Sequence, residues 1–330
     1  MFLPTNFSDL VHNTTHFDPS SATKPTPKQQ AYFKYYGIDF ENQLVGIGHH
    51  FGLFKAAGFD IAAHYFSQPT ATNRGTVFIL HGYFDHVGLY KHLIEYCLAS
   101  GFSVVAYDLP GHGLSSGPRA SIESFAQYRE VFATCMDIVK KLDEPTQPWH
   151  IMAQSTGCAI AMDYLLRLPQ NQASMHFDEI FLFAPLVRPV NWRVSSVMHR
   201  AGKYFIESQK RTFTQNSNDA DFLQFIREHD PLQPLILPLQ WVTALKRWLK
   251  EFRRLPQSQL SPVVIQGKAD RTVDWQYNIP KIQGKFRQPQ IHYLEEGRHH
   301  LVNESSPIRD EMFKVVDEII NPPPATEKPK

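Results

Sequence analysis

The chain has 330 residues, 42% of them hydrophobic and 20% charged, with a formal net charge of +1. That length suits one large domain or two modest ones and buries a core without a disulfide or metal staple. The near-neutral charge argues against a polyanionic partner such as nucleic acid. Cys97, Cys135 and Cys158 are odd in number and lack CxxC spacing, so they read as buried thiols of a reducing compartment.

The first residues, MFLPTNFSDLVHNTTHFDPSS, lack the basic start and apolar run of a secretory signal. No run of about 18 apolar residues occurs further on. The expected location is cytoplasmic, with peripheral membrane contact left open. Residues 1–30, rich in Pro, Ser, Thr and Asn, read as an extended or loosely held arm. PKQQAYFKYYGI (27–38) has the makings of a short helix. VGIGHHFGLF (45–54) and FDIAAHYF (59–66) predict an antiparallel hairpin.

From residue 75 onward, short apolar runs alternate with helical periods. The runs are GTVFILHG (75–82), FSVVAYD (102–108), WHIMAQS (149–155), EIFLFAP (179–185), PVVIQGKAD (262–270) and QIHYLEE (290–296). Between them, helical spacing predicts helices in 89–100, 121–141, 157–168 and 278–285, with a last one in 307–320. Ser121 or Ser124 caps the second of these. Continuous apolar strands alternating with helices predict a mostly parallel sheet covered on both faces. Residues 186–260 break the rhythm and are too long for a plain loop. DFLQFIREH and LQWVTALKRWLKEF make this stretch a helical cap inserted over the strand ends. The group Lys246, Arg247, Lys250, Arg253 and Arg254 around Trp248 and Phe252 reads as a solvated basic face, with an anionic lipid surface as the other reading.

Chemistry concentrates where strands end. AQSTG (153–157) joins an apolar strand to a helix, with small residues two before and two after Ser155. That is the pattern of a nucleophile elbow, with Ala153 in place of the first glycine. Serine needs a base, and later strand ends supply candidates in the order Ser, Asp, His: Asp270, with Asp274 or Glu296 as alternatives, then His299 or His300. An oxyanion needs preorganised N–H donors. The backbone N–H of Thr156 follows the nucleophile, and that of Tyr83 lies in HGYFDH (81–86). His81, Asp85 and His86 partly match a metallo-hydrolase pattern, but Tyr83 sits where the middle ligand is needed. GHGLSSG (111–117) lacks the lysine of a P-loop and the spacing of a dinucleotide site.

HGYFDHVGLYKHL (81–93), YDLPGHGLSSGPRASIESF (107–125), AQSTGCAIAMDYL (153–165), IQGKADRTVD (265–274) and EEGRHHLVNE (295–304) occur in one order. Together they resemble the lysophospholipase and monoacylglycerol lipase branch of the α/β-hydrolases, the serine aminopeptidase S33 type. The resemblance covers most of residues 75–310. It implies an α/β-hydrolase fold with core 31–185 and 261–322, helical cap 186–260, arm 1–30 and a frayed tail 323–330. It also implies catalytic Ser155, Asp270 and His299, the last because a variable residue, an apolar pair and Asn-Glu follow it, and an oxyanion hole at Tyr83 and Thr156. Two departures stand out: Ala153-Gln154 where the family has Gly-His, and Phe84 where glycine is common.

The implied reaction is carboxylic ester cleavage without metal or organic cofactor. The implied substrate is a single-chain acyl ester, a lysophospholipid or monoacylglycerol. His81, Gly82 and Phe84 are candidate substrate contacts. So are Leu235, Leu237 and Trp241 of a cap stretch that also holds Ile236, Leu239 and Val242. Alternatives are a short-chain carboxylesterase, an aminopeptidase, an acyltransferase, or a non-catalytic binding protein on the same scaffold.

Overall fold

A computed structural model describes residues 10–11, 14–20, 24–141, 146–169, 177–192 and 208–321. The hairpin is β1 (Gly48–Ala56) with β2 (Phe59–Ser67), antiparallel throughout. The six apolar runs become β3 (Thr76–Leu80), β4 (Ser103–Tyr107), β5 (Trp149–Gln154), β6 (Glu179–Phe183), β9 (Val263–Gly267) and β10 (Gln290–Leu294). The strand order is β1-β2-β4-β3-β5-β6-β9-β10. β2 runs antiparallel to β4, and all later pairings are parallel.

Apart from the edge strand β10, where Gln290 and Tyr293 are exposed, the runs are continuously apolar because both faces are covered. In β3, Phe78 and Leu80 join one core cluster while Val77 and Ile79 join the other. The first cluster holds α3 (Phe125–Lys140), α4 (Thr156–Leu165), α6 (Leu239–Arg254) and α7 (Trp275–Gln283). The second holds α1 (Pro27–Tyr36), α2 (Lys91–Ala99) and α8 (Ser306–Ile320). Of the two candidate caps for α3, Ser124 accepts from Ala126 N–H and closes a capping box with Gln127, whereas the Ser121 hydroxyl bonds Gln240. β4 and β5 leave β3 on opposite sides, so the loops after β3 and β5 open at a topological switch point. In open α/β sheets that crevice takes the ligand.

β6 pairs directly with β9, so the chain between them is an excursion from the sheet. After residues 184–192 its described part resumes with β7 (Ser208–Lys210), which pairs antiparallel with β8 (Ile236–Pro238). Between them lie α5 (Ala220–Gln224) and a π-helical turn, Phe225–His229. The ribbon is a departure from the all-helical insertion the sequence predicts, because Ser-Gln-Lys carries no apolar period. On α6, Trp241, Leu245, Trp248 and Phe252 are buried while Arg247, Lys250, Arg253 and Arg254 face solvent. Trp248 stacks on Phe125 at 5.0 Å. Both aromatic rings of the basic group thus point inward, and the helix offers no apolar face to a bilayer. Among the described residues no helix is long and apolar enough to cross a membrane.

The arm is more structured than its composition suggests. Phe17 is fully buried, its N–H donates to Leu53 O at 2.8 Å, and Leu53 N–H donates to Thr15 O at 3.0 Å. α1 already begins at Pro27, capped by Thr26. The tail 323–330 lies outside the described residues.

Candidate active site

Ser155 sits between the end of β5 and the start of α4 at φ 52, ψ −107. That left-handed backbone costs an L-residue about 1–3 kcal/mol and persists only where its surroundings impose it. Here Ser155 N–H donates to Phe183 O at 2.9 Å. α4 presses so close to β3 that a Cβ on Gly157 would lie 2.1 Å from Leu80 O. The turn aims the hydroxyl at the loops after β9 and β10.

The His299 Nε2 lies 2.9 Å from Ser155 Oγ, and its Nδ1 lies 2.8 Å from Asp270 Oδ2. A carboxylate accepts only, so Nδ1 carries the proton and donates to Asp270 while the Nε2 lone pair faces the serine. Asp270 Oδ1 accepts from the N–H groups of Thr272 (2.7 Å) and Val273 (3.1 Å), and Gln266 Nε2 donates to Oδ2. Burial pushes this carboxyl up, but the interaction with His299 and the N–H groups of Thr272 and Val273 outweigh it and hold the pKa below the usual aspartate range. Asp274 instead caps α7 and pairs with Arg188 at 2.7 Å. Glu296 is exposed, and His300 bonds Asp85 at 3.1 Å. Of the alternatives left open by the sequence, only Asp270 and His299 converge on Ser155.

Thr156 N–H is the first donor of α4 and has no intrahelical acceptor. Among the described residues neither it nor Tyr83 N–H is taken up by a protein acceptor. The Tyr83 side chain has its own work: its hydroxyl donates to Ala120 O at 2.6 Å, and its ring stacks on Trp241 at 3.8 Å. Phe84 holds φ 70, the conformation that glycine adopts most easily.

A cavity of about 370 Å³ opens onto Ser155 and His299. Leu186, Leu237, Trp241, Val242 and Leu245 form an apolar wall; Arg211, Thr212, Thr214 and Asn216 form a polar one. Gly82 and Phe84 also line it. Two predicted contacts do not. His81 is buried behind the loop: its Nε2 accepts from Leu109 N–H (2.8 Å) and its Nδ1 bonds Gly82 O (2.7 Å). Leu235, just ahead of β8, is 63% exposed. Ile236 is exposed as well, and Leu239 is buried outside the lining. His81, Asp85 and His86 bond separate partners and do not converge.

Sequence reasoning missed several supporting groups. Gln154 Nε2 donates to His299 O at 2.8 Å, so the Gln of the Ala-Gln departure braces the base. The buried Glu304 accepts from the N–H groups of Arg298 and Asn218, both at 2.7 Å, and fixes the loop carrying His299. It stood in the Val-Asn-Glu segment that located His299, read there only as a marker. Arg211 had no local signal at all.

A doubly covered, mostly parallel sheet with a strained serine turn at its switch point defines an α/β-hydrolase. The pattern described as "Serine aminopeptidase, S33" matches residues 71–306, and the chain belongs to that family. It is 35% identical over 107 residues to the monoacylglycerol lipase of Mycolicibacterium smegmatis, a stretch covering 32% of this chain and 38% of that one. It is 26% identical over 251 residues to phospholipase YtpA of Bacillus subtilis, covering 72% of this chain and 92% of that one. A soluble variant of the Saccharomyces cerevisiae monoglyceride lipase superposes with a TM-score of 0.71 at 12% identity, over 84% of this chain and 96% of that one.

Proposed function

We propose that the protein hydrolyses carboxylic esters through an acyl-enzyme formed on Ser155. The observation that carries this reading is His299 bridging Ser155 Oγ at 2.9 Å and Asp270 Oδ2 at 2.8 Å. Ser155 Oγ attacks the ester carbonyl as its proton passes to His299 Nε2. The backbone N–H groups of Tyr83 and Thr156 receive the oxyanion. Asp270, held ionised, steadies the imidazolium. His299 returns the proton to the leaving alcohol. Water then gives up a proton to His299 as it attacks the acyl-enzyme, releasing the acid and regenerating Ser155.

The substrate class that fits is a single-chain acyl ester, a monoacylglycerol or lysophospholipid. The apolar wall accommodates an acyl chain, and relatives are named a monoacylglycerol lipase and a phospholipase. An aminopeptidase would need a free carboxylate to hold the substrate ammonium. Among the described residues the carboxylate lining the cavity is Asp85, already taken by Tyr90 (3.0 Å) and His300 (3.1 Å), which favours the ester.

Fluorophosphonate labelling with peptide mapping tests the reading. Label on Ser155 that vanishes in Ser155→Ala, together with loss of p-nitrophenyl ester turnover, is the expected result. Folded wild type that takes no label would overturn it.

A further inference from the structure

Arg211 reaches the polar wall of the cavity from the residue after β7, with its backbone N–H on Leu235 O at 2.9 Å. Its guanidinium lies between two rings, 4.2 Å from the centroid of Phe84 and 4.4 Å from that of Phe213. One nitrogen, Nη1, donates to Gln233 Oε1 and to Pro234 O. Both acceptors are neutral. Among the described residues, Nε and Nη2 donate to nothing, and no carboxylate lies within ion-pair distance. The carboxylates whose charge it feels, Asp85 and Asp230, are bound elsewhere: Asp85 by Tyr90 and His300, Asp230 by His86, Tyr36 and Gln233. Burial draws the guanidinium down to about 10, so it stays charged at neutral pH.

A largely buried cation without a counter-charge is costly. That cost falls when a ligand supplies an anion. A guanidinium fork with Nε and Nη2 free has the geometry for two oxygens of one phosphate. The lining also includes the apolar Leu237, Trp241, Val242 and Leu245, so the occupant is amphipathic. We propose that Arg211 forms a head-group subsite that selects single-chain acyl esters bearing a phosphate over uncharged monoacylglycerols, its guanidinium taking the phosphate. The proposal rests on the ester-hydrolase reading of Ser155 and adds its substrate preference.

The test compares kcat/KM for a 1-acylglycerol 3-phosphate and the matching 1-acylglycerol, both short-chain and monomeric. Wild type is expected to favour the phosphate ester. In Arg211→Met the preference ratio should fall by about tenfold or more, the scale of a lost charge-assisted contact. Arg211→Lys should restore part of it, since it keeps the charge and loses the fork. A merely structural arginine would lower both substrates alike, and that result overturns the proposal. Wild type with no preference overturns it too, even if Arg211→Met fails to fold. Calorimetry with a non-hydrolysable ether lysophospholipid separates the two readings. Binding to wild type and Ser155→Ala that Arg211→Met weakens supports the subsite even if no ester is turned over. Absence of turnover and labelling with binding intact removes the ester-hydrolase reading alone.

Discussion

Replacing Asp270 by Asn alters one group and reverses one hydrogen bond. Oδ1 accepts from two backbone N–H groups, Thr272 and Val273, so the oxygen of the new amide stays there. Its NH2 must then occupy the place of Oδ2, facing His299 Nδ1 at 2.8 Å and Gln266 Nε2 at 3.1 Å. Both of those are donors in the wild type. The imidazole relieves the clash by moving its proton to Nε2, which leaves a donor, not a base, against Ser155 Oγ. In a well-studied serine protease the same change lowers kcat by about 10⁴. With Asp270 equally buried and equally tied to one imidazole nitrogen, a loss of about 10³–10⁴ in kcat/KM is expected here, or about 4–5.5 kcal/mol at 1.36 kcal/mol per decade. The assay is steady-state ester hydrolysis with the fluorophosphonate labelling rate measured in parallel, since both need the same base. A loss below about tenfold in either would show that His299 is oriented by something other than Asp270, and the assigned triad would fall. Because the Asp270 carboxyl is held below the ordinary aspartate range, it remains ionised on mild acidification and does not limit activity there.

Two further changes test the scaffold. Gly157→Ala places a Cβ 2.1 Å from Leu80 O, so β3 and α4 must separate; urea unfolding should show a loss of about 1–3 kcal/mol or more, and unchanged stability would refute the close approach. His86→Gln removes a buried partner of Asp230, whose Oδ2 lies 3.0 Å from His86 Nε2, and should cost about 3 kcal/mol or more near neutral pH. Burial lowers His86, but Asp230 outweighs it and raises the pKa, so this stabilisation is complete below the unfolded value of about 6.5 and is lost as pH rises through the folded value. Asp230, lowered overall by His86 and its hydrogen bonds despite burial, contributes above its unfolded value of about 3.9 and loses that contribution as pH falls through the folded one. The gap between wild type and His86→Gln should therefore narrow as pH rises from about 6.5 through the folded His86 value, and a gap that stays constant throughout the alkaline range would refute the charged pair.

The strands were legible because burial on both faces writes them as unbroken apolar runs. The serine, aspartate and histidine were legible because each follows such a run within a few residues, where the chain has little freedom to go elsewhere. His81 shows the limit of that reasoning. It lies in the same loop as Tyr83 and Gly82, yet its ring turns back to accept from Leu109. Adjacency in sequence fixes the position of the backbone and leaves the side-chain direction open. The insertion was less legible for a second reason. Leu-Ile-Leu has no alternation, so nothing local says that Leu237 faces the cavity while Leu235 faces solvent. A three-residue strand of Ser-Gln-Lys is defined by its partner and not by its own composition. Arg211 acquires its role only from Phe84, Phe213 and Gln233, two of which come from other segments of the chain.

The same geometry links the anchor of the insertion to its polar wall. Asp230 gathers Tyr36 hydroxyl (2.7 Å), His86 Nε2 (3.0 Å), Leu232 N–H (3.0 Å) and Gln233 Nε2 (2.7 Å). Arg119 ties the next turn to the core through Leu232 O at 2.8 Å and Gly113 O at 2.9 Å. The amide of Gln233 is therefore oriented, because an NH2 group donating to a carboxylate forces its oxygen to the opposite side. That oxygen is the acceptor for Arg211 Nη1. One buried carboxylate thus does two things: it fastens the insertion to α1 and the loop after β3, and through a single amide it sets the direction of the cavity's buried cation. Loosening the anchor should consequently disturb how the cavity reads a head group before it disturbs Ser155, Asp270 and His299, which hang on the sheet.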